Sequence, residues 1–265
     1  MNARTENVAA KSSSYYSGRY TNPVIPDGYR YAYGTWSDGF VIERIKDGSC
    51  FTFVPVGFLS NNATLDGKRF NEKFGRRKWY EKETNELGEE PIKRILWNQL
   101  QSVREYGGFY VSTYRISKSK FSKPQSLEEG KPWNYIDFNC AMEIAQSFEF
   151  SSKLESHLVF GAEYDSILEW FIETNAESFE DVTSLKKDIS AQNMRENLMT
   201  NNVFDLSGSS YEWTQEMAKS KGMKAIIRGG TRIETGKTRP VAYRNGCSTF
   251  IKRPYIGFRI AISIP

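Results

Sequence analysis

The run Asn202-Val203-Phe204-Asp205-Leu206-Ser207-Gly208-Ser209-Ser210-Tyr211-Glu212-Trp213-Thr214 says most about the fold. Asp205 and Gly208 are turn formers, because an aspartate hydrogen-bonds its own backbone and glycine tolerates a positive φ. Beyond them Tyr211 and Trp213 alternate with Glu212, as in a short strand with one aromatic face. Further along, Arg228-Gly229-Gly230 ends the apolar run Ala225-Ile226-Ile227 where the backbone must turn or pack closely. Arg228, and Arg259 beside Phe258 in the last strand, are read as partners of buried carboxylates such as Glu212 or Asp165, ahead of any ligand contact.

Towards the N-terminus, Phe40-Val41-Ile42-Glu43 and Phe51-Thr52-Phe53-Val54-Pro55-Val56 predict a hairpin across Lys46-Asp47-Gly48-Ser49. Pro91, followed by Ile92, Ile95, Leu96, Leu100 and Val103, predicts a helix over 91–103 that Gly107 and Gly108 end. Phe109 to Ser117 reads as a strand, and a Lys- and Ser-rich loop follows to near residue 131. Asp137 is placed to cap a helix whose apolar face is Ala141, Ile144, Ala145 and Phe148; a second amphipathic helix carries Tyr164, Ile167, Leu168 and Phe171. Residues 174–200 are polar and irregular, and Ile256 to Ile264 is strand-like. The class is α+β: two main helices framing short, mostly antiparallel strands, with more loop than usual.

Two stretches stand apart. Residues 1–22 are polar and lack periodicity, which leaves either an arm that orders against a partner or a frayed terminus before one domain over 23–265. Residues 61–91 read as an insertion loop. Its basic aromatic part, Lys68 to Tyr80, is diluted by Glu72, Glu81, Glu83 and Glu86, so a solvated loop or a protein-docking surface is favoured over a nucleic-acid patch.

Composition removes several function classes. With 39% hydrophobic and 26% charged residues the 265-residue chain is that of a folded protein. No apolar run reaches the roughly 20 residues of a membrane helix, and the first residues lack the features of a signal peptide, so the expectation is a soluble chain without membrane insertion or export. One histidine, His157, excludes a His-based metal cluster or proton relay, and is expected at the core edge bonded to backbone. Three scattered cysteines, Cys50, Cys140 and Cys247, form no disulfide framework and point to a reducing birthplace. A net charge of +4, from 36 basic against 32 acidic residues, makes no general case for nucleic acid.

Taken in order, five groups of segments resemble one family. They are Gly39-Phe40-Val41-Ile42 with its hairpin partner; Gly108-Phe109-Tyr110-Val111 continuing to Ser117; Lys131-Pro132-Trp133 leading into the helix with Ala141 and Ala145; and Leu158-Val159-Phe160-Gly161-Ala162-Glu163-Tyr164-Asp165 running to Trp170. The fifth and most specific is Asn202 to Thr214, then Arg228-Gly229-Gly230-Thr231, Ala242-Tyr243-Arg244 and Ile256-Gly257-Phe258-Arg259. This order resembles the formylglycine-generating-enzyme, or sulfatase-modifying factor, domain, a branch of the C-type lectin fold, over residues 36 to 265. The resemblance implies an oxidation of substrate cysteine by oxygen at copper held by two cysteines after the Arg-Gly-Gly motif, since soft thiolates select monovalent copper. Here Thr231-Arg232-Ile233-Glu234 stands where the first thiol is expected, and Cys247 is the single cysteine of the segment. The family also carries calcium near a Gly-Asn-x-Trp-Glu-Trp stretch; Ser209 and Tyr211 replace two of those residues, leaving Glu212 as the weak calcium candidate and no other cofactor.

Without the thiol pair the resemblance implies a non-enzymatic member, of the kind found in bacteriophage tails, fibres and decoration proteins, that uses a lectin-like scaffold for attachment. The ligand surface is assigned to Arg232, Glu234, Lys237, Arg239, Tyr243, Arg244, Asn245, Phe250 and Lys252, where polar groups and aromatic rings suit sugars or protein epitopes. The expected partners are virion subunits, met through the N-terminal arm, and a bacterial surface glycan or protein, with several copies adding by avidity as a homo-oligomer. The expected location is the virion, assembled in the host cytoplasm, with a cytoplasmic protein as the alternative. The alternatives are a diverged oxygenase and a purely structural subunit.

Overall fold

The computed structural model describes residues 23–35, 38–56, 74–75, 84–85, 92–151, 153–174, 199–206, 210–218, 224–231 and 241–264. The 1–22 arm lies outside them, as does the 61–91 stretch apart from Phe74, Gly75, Thr84 and Asn85.

In chain order the elements begin with β1 (Tyr29–Tyr33), β2 (Val41–Arg44), β3 (Cys50–Pro55), β4 (Thr84–Asn85), α1 (Ile92–Tyr106) and β5 (Gly108–Ser112). Next come β6 (Ser117–Lys118), β7 (Pro124–Gln125), α2 (Phe138–Phe148), β8 (Glu155–Leu158), α3 (Gly161–Thr174), β9 (Met199–Thr200) and β10 (Val203–Phe204). The chain ends with β11 (Tyr211–Ala218), β12 (Lys224–Arg228), β13 (Asn245–Ser248), β14 (Ile256–Phe258) and β15 (Ile260–Ser263). The protein is therefore α+β.

Six strands form one sheet in the order β1-β2-β3-β5-β15-β8, and a second sheet runs β13-β12-β11-β14 with β4 added on β11. All pairs are antiparallel except β11 with β14. The predicted hairpin is present, Ile42 opposite Phe51. β3 is buried from Phe51 to Pro55 because both of its faces are covered: Val54 packs with α1 and α3, whereas Phe51 and Phe53 pack with α2 and the second sheet. Phe74 joins the first of these clusters against Phe109, so the expected insertion contributes at least one residue to the core.

Local chemistry sets the helix ends. Gly107, at φ 75°, gives its N–H to Val103 O at 2.9 Å and closes α1. Asp137 caps α2 as expected, accepting from the Cys140 amide at 2.9 Å. Glu163, in the first turn of α3, reaches back to the Phe160 amide at 2.8 Å, the carboxylate half of a capping box.

The expected strand from Phe109 to Ser117 stops at Ser112, and the Lys- and Ser-rich loop beyond it contains the β6–β7 hairpin. The last strand-like run is two strands. It breaks at Arg259, where the chain passes from the second sheet to the first.

Candidate functional site

Among the described residues the interior holds several charged groups, and each has an identifiable partner. Arg259 sits at the crossing between sheets. It donates from Nε to both Glu212 oxygens (2.9 and 3.0 Å), from Nη1 to Ser112 O and Thr113 O (2.9 and 3.0 Å), and from Nη2 to Phe204 O. One guanidinium thus ties β11, the end of β5 and β10 together. A second network joins α3 to the other sheet: Asp165 takes Arg228 at 2.7 Å and also Arg244, and Arg244 bonds Glu216 at 2.7 Å. The Arg228 guanidinium lies 4.4 Å from the Tyr164 ring centre. His157, fully buried on β8, meets Glu163 Oε1 through Nε2 at 2.9 Å, and Gln99 of α1 donates to the same oxygen.

These networks pair Arg228 and Arg259 with buried carboxylates, as read from the sequence, and differ from that reading at His157 and Arg244. His157 was expected to bond backbone; its partner is a carboxylate, because Glu163 already caps the helix that packs over it. Arg244, assigned to the ligand surface, is buried between two carboxylates and faces inward. Glu212, the calcium candidate, has both oxygens on Arg259. Burial pushes its carboxyl above the usual range, and Arg259 and Arg115 pull it back only in part.

The copper chemistry that the resemblance implies does not fit the donors present. Cys50 lies on β3, Cys140 on α2 and Cys247 on β13, and only Cys247 follows the Arg-Gly-Gly motif. Burial raises all three thiols, Cys50 to about 11. Among the described residues no group of three His, Cys, Asp or Glu side chains could hold a metal ion.

Of the other residues assigned to the ligand surface, Arg232, Glu234, Lys237 and Arg239 lie outside the described residues. Tyr243 is half-buried before β13, and Asn245 begins that strand, half-buried as well. Phe250 is exposed (69%), and Lys252 is exposed with its ammonium 3.2 Å from Asp137.

Phe250 and Lys252 belong to a larger face that sequence reasoning missed. Residues 249–256 are laced to residues 131–138: Tyr135 N to Arg253 O at 2.9 Å, Asn134 Nδ2 to Pro254 O at 2.7 Å, and Phe138 N to Thr249 O at 3.2 Å. Gly257 permits the approach, since a Cβ there would stand 2.7 Å from Asn134 Oδ1. The 131–138 segment is joined in turn to the β6–β7 hairpin by the Ser117–Pro132 bridge and by Lys118, whose ammonium lies 5.0 Å from the Trp133 ring centre. Together these segments present Tyr135 (66% exposed), Tyr255 (44%) and Phe250 with the exposed cations Lys131, Lys252 and Arg253. Tyr135 holds φ 64°, an uncommon backbone for a bulky residue. Asn134 Oδ1 and Thr249 Oγ1 are buried without a hydrogen-bond partner among the described residues. The sequence signal was available: aromatics embedded in the polar, proline-containing runs Lys131-Pro132-Trp133-Asn134-Tyr135 and Lys252-Arg253-Pro254-Tyr255.

Comparison with known proteins finds a family model over the later of the segments on which the resemblance rests. Residues 143–264 match the model of the sulfatase-modifying factor enzyme 1-like domain. No curated protein matches the chain. Among solved structures the chain is similar to PvdO from Pseudomonas aeruginosa, with a TM-score of 0.45 at 12% identity over 84% of this chain and 98% of that one. The structure of CarF gives 0.41 at 12% identity, covering 60% of this chain and 87% of that one. The third, Treponema denticola variable protein 1, gives 0.30 at 13% identity, covering 92% and 94%. The matched residues, 143–264, run from within α2 through β15 and include Glu212, Arg228 and Arg259, so this part of the chain is similar to the sulfatase-modifying factor enzyme 1-like domain.

Proposed function

We propose that the chain is a non-enzymatic binding protein, a virion-associated attachment or decoration protein that uses the family scaffold to present a ligand face. The observation that carries this reading is the three-segment face around Tyr135, Phe250 and Tyr255. Its aromatics are exposed on backbone that is hydrogen-bonded in place, so little side-chain and loop ordering remains to oppose binding. The inward fate of the charges supports it too. Arg244 and Glu212, the charged candidates in the family's motif segments, are spent on internal pairs. The virion setting rests on the resemblance to non-catalytic phage members of the family.

The test is adsorption of the purified protein to a panel of bacterial cells and envelope fractions. Saturable binding, weakened at least tenfold in Tyr135→Ala or Phe250→Ala at unchanged melting temperature, is the expected result. Variants that adsorb as well as the wild type would refute the assignment of the face.

The family match itself favours a second reading, a diverged oxygenase. It requires that copper-loaded protein consume oxygen when given a cysteine peptide. Because Cys247 is the single cysteine after the Arg-Gly-Gly motif, we expect no consumption above that of the peptide alone.

A further inference from the structure

We infer that the β6–β7 hairpin is a docking tip for a bilayer surface rich in anionic lipid headgroups. This goes beyond the attachment face, because the hairpin carries its own apolar residue and its own charge.

The tip is Lys118-Ser119-Lys120-Phe121-Ser122-Lys123. Phe121 is 86% exposed, more than any other large hydrophobic residue described. That exposure is built rather than loose. Ser119 accepts the Ser122 amide on its carbonyl (3.0 Å) and gives its own amide to Lys123 O (2.9 Å). Its Oγ accepts the amides of Phe121 (3.3 Å) and Lys123 (3.0 Å). Ser122 holds φ 60° to complete the turn. These four bonds, all made by Ser119, fix the backbone of the turn and hold the ring at the apex.

Lys118, Lys120 and Lys123, all exposed, surround the apex, and no acidic residue occurs from 106 to 127; Glu128 and Glu129 come next, beyond β7. One step back, at the base of the hairpin, are Trp133 under Lys118, then exposed Lys131 and Tyr135.

An apolar apex, a collar of lysines and amphipathic Trp and Tyr behind it is the order in which side chains partition across a headgroup layer. Lysine stems lie along apolar material while their ammonium groups stay with phosphate. The shape separates this partner from a soluble polyanion. A glycan or a single-stranded nucleic acid is held in a groove that tracks it, whereas a convex tip with one protruding ring needs a medium that closes around it.

The experiment is co-sedimentation of the full-length chain with sucrose-loaded vesicles, either phosphatidylcholine alone or phosphatidylcholine with 40% phosphatidylglycerol. We expect partitioning onto the anionic vesicles at least tenfold stronger than onto neutral ones, and weaker as salt rises. Lys120→Gln should lower it about fivefold, one lysine's share at an anionic surface, and Phe121→Ser at least tenfold, both with unchanged melting because the side chains are exposed. Equal sedimentation with the two vesicle types would overturn the inference. So would Phe121→Ser partitioning like the wild type, or retention by heparin or single-stranded DNA with no vesicle binding. Failure here leaves cell adsorption through Tyr135 and Phe250 standing, and the Phe121 variants keep that face intact, so the two proposals fall separately.

Discussion

Replacing Arg259 by methionine tests whether the buried charges hold the two sheets together. The substitution keeps the apolar length of the stem and removes a guanidinium that satisfies both Glu212 oxygens and three main-chain carbonyls. Glu212 would be left with Arg115 at 4.0 Å as its cationic neighbour. Removing one partner of a buried ion pair costs about 3–5 kcal/mol, and each carbonyl that finds no water adds about 1–3 kcal/mol. A loss of at least about 4 kcal/mol is therefore expected, against a total stability on the order of 5–15 kcal/mol. At about 2–4 °C per kcal/mol for a chain of this size, melting should fall by about 10 °C or more. The loss should also depend on pH. Burial already raises the Glu212 carboxyl, and without Arg259 it rises further, so the folded variant binds a proton that the unfolded chain releases. Such a group contributes most stability below its unfolded pKa and loses that contribution as pH rises through the folded value, so the deficit of Arg259→Met should be smaller at pH 4 than at pH 7. Urea denaturation of the wild type, Arg259→Met, Glu212→Leu and the double variant at both pH values reads this out. The reasoning fails if Arg259→Met costs under about 1 kcal/mol, or if the two single losses simply add, since residues in one network couple by about 0.5–3 kcal/mol.

Asp165→Ala leaves Arg228 and Arg244 sharing Glu216 as a carboxylate, and should cost about 3–5 kcal/mol by chemical denaturation; exposed Arg30→Ala, paired with Glu43 at the surface, should cost under about 1 kcal/mol in the same assay. Gly229→Ala places a Cβ 2.7 Å from Leu206 O at φ +95°, and a loss on the order of 2 kcal/mol or more is expected from thermal melts. Asp137→Ala removes the cap of α2 and should cost about 1 kcal/mol. Two carboxyls are held below their ordinary range. Burial pushes Asp137 up, but the Cys140 amide and Lys252 more than reverse it; burial does the same at Asp47, where Arg44 reverses it. Their contribution is present above the unfolded pKa near 4 and is lost as pH falls through the lower folded values, so denaturation midpoints should drop below about pH 4, and less steeply in Asp137→Ala.

Local signals carried much of the architecture. The α2 cap, its Ala141 and Ala145 face, the β2–β3 hairpin and the aromatic alternation of β11 each lie within a few residues of one another, so spacing alone exposes them. What spacing does not expose are elements stabilised from a distance. β8 reads Glu-Ser-His-Leu, a poor strand by composition, yet all four residues are buried. Glu155 is met there by Arg94 and Asn98 of α1, and His157 by Glu163 of α3. β1 is an edge strand with Tyr31 and Tyr33 exposed, so its tyrosines give no apolar period. The hairpin tip carries lysines and serines, and forms through the Ser119 hydrogen bonds rather than through strand propensity.

The same distinction explains why the site was half legible. An arginine in a polar, Asn- and Ser-rich loop suggests a surface, but Arg244 is turned inward by Asp165, 79 residues earlier, and Glu216, 28 residues earlier. Exposed aromatics suggest core until a fold leaves them outside, as happens at Tyr135 and Tyr255. Charge that would be expected to meet a ligand is consumed in holding sheet to sheet and helix to sheet, while rings that would be expected to fill the core are displayed. A scaffold arranged in this way can change the displayed rings at small cost, because surface substitutions away from caps and networks usually stay within about 0.5 kcal/mol. Tyr135, Phe250, Tyr255 and Phe121 should therefore tolerate wide substitution, whereas Asp165, Glu212, Arg228 and Arg259 should not. A saturation library selected for folding alone, by proteolysis of the displayed chain, measures this split, and equal tolerance in the two groups would show that the interior networks do not set the fold.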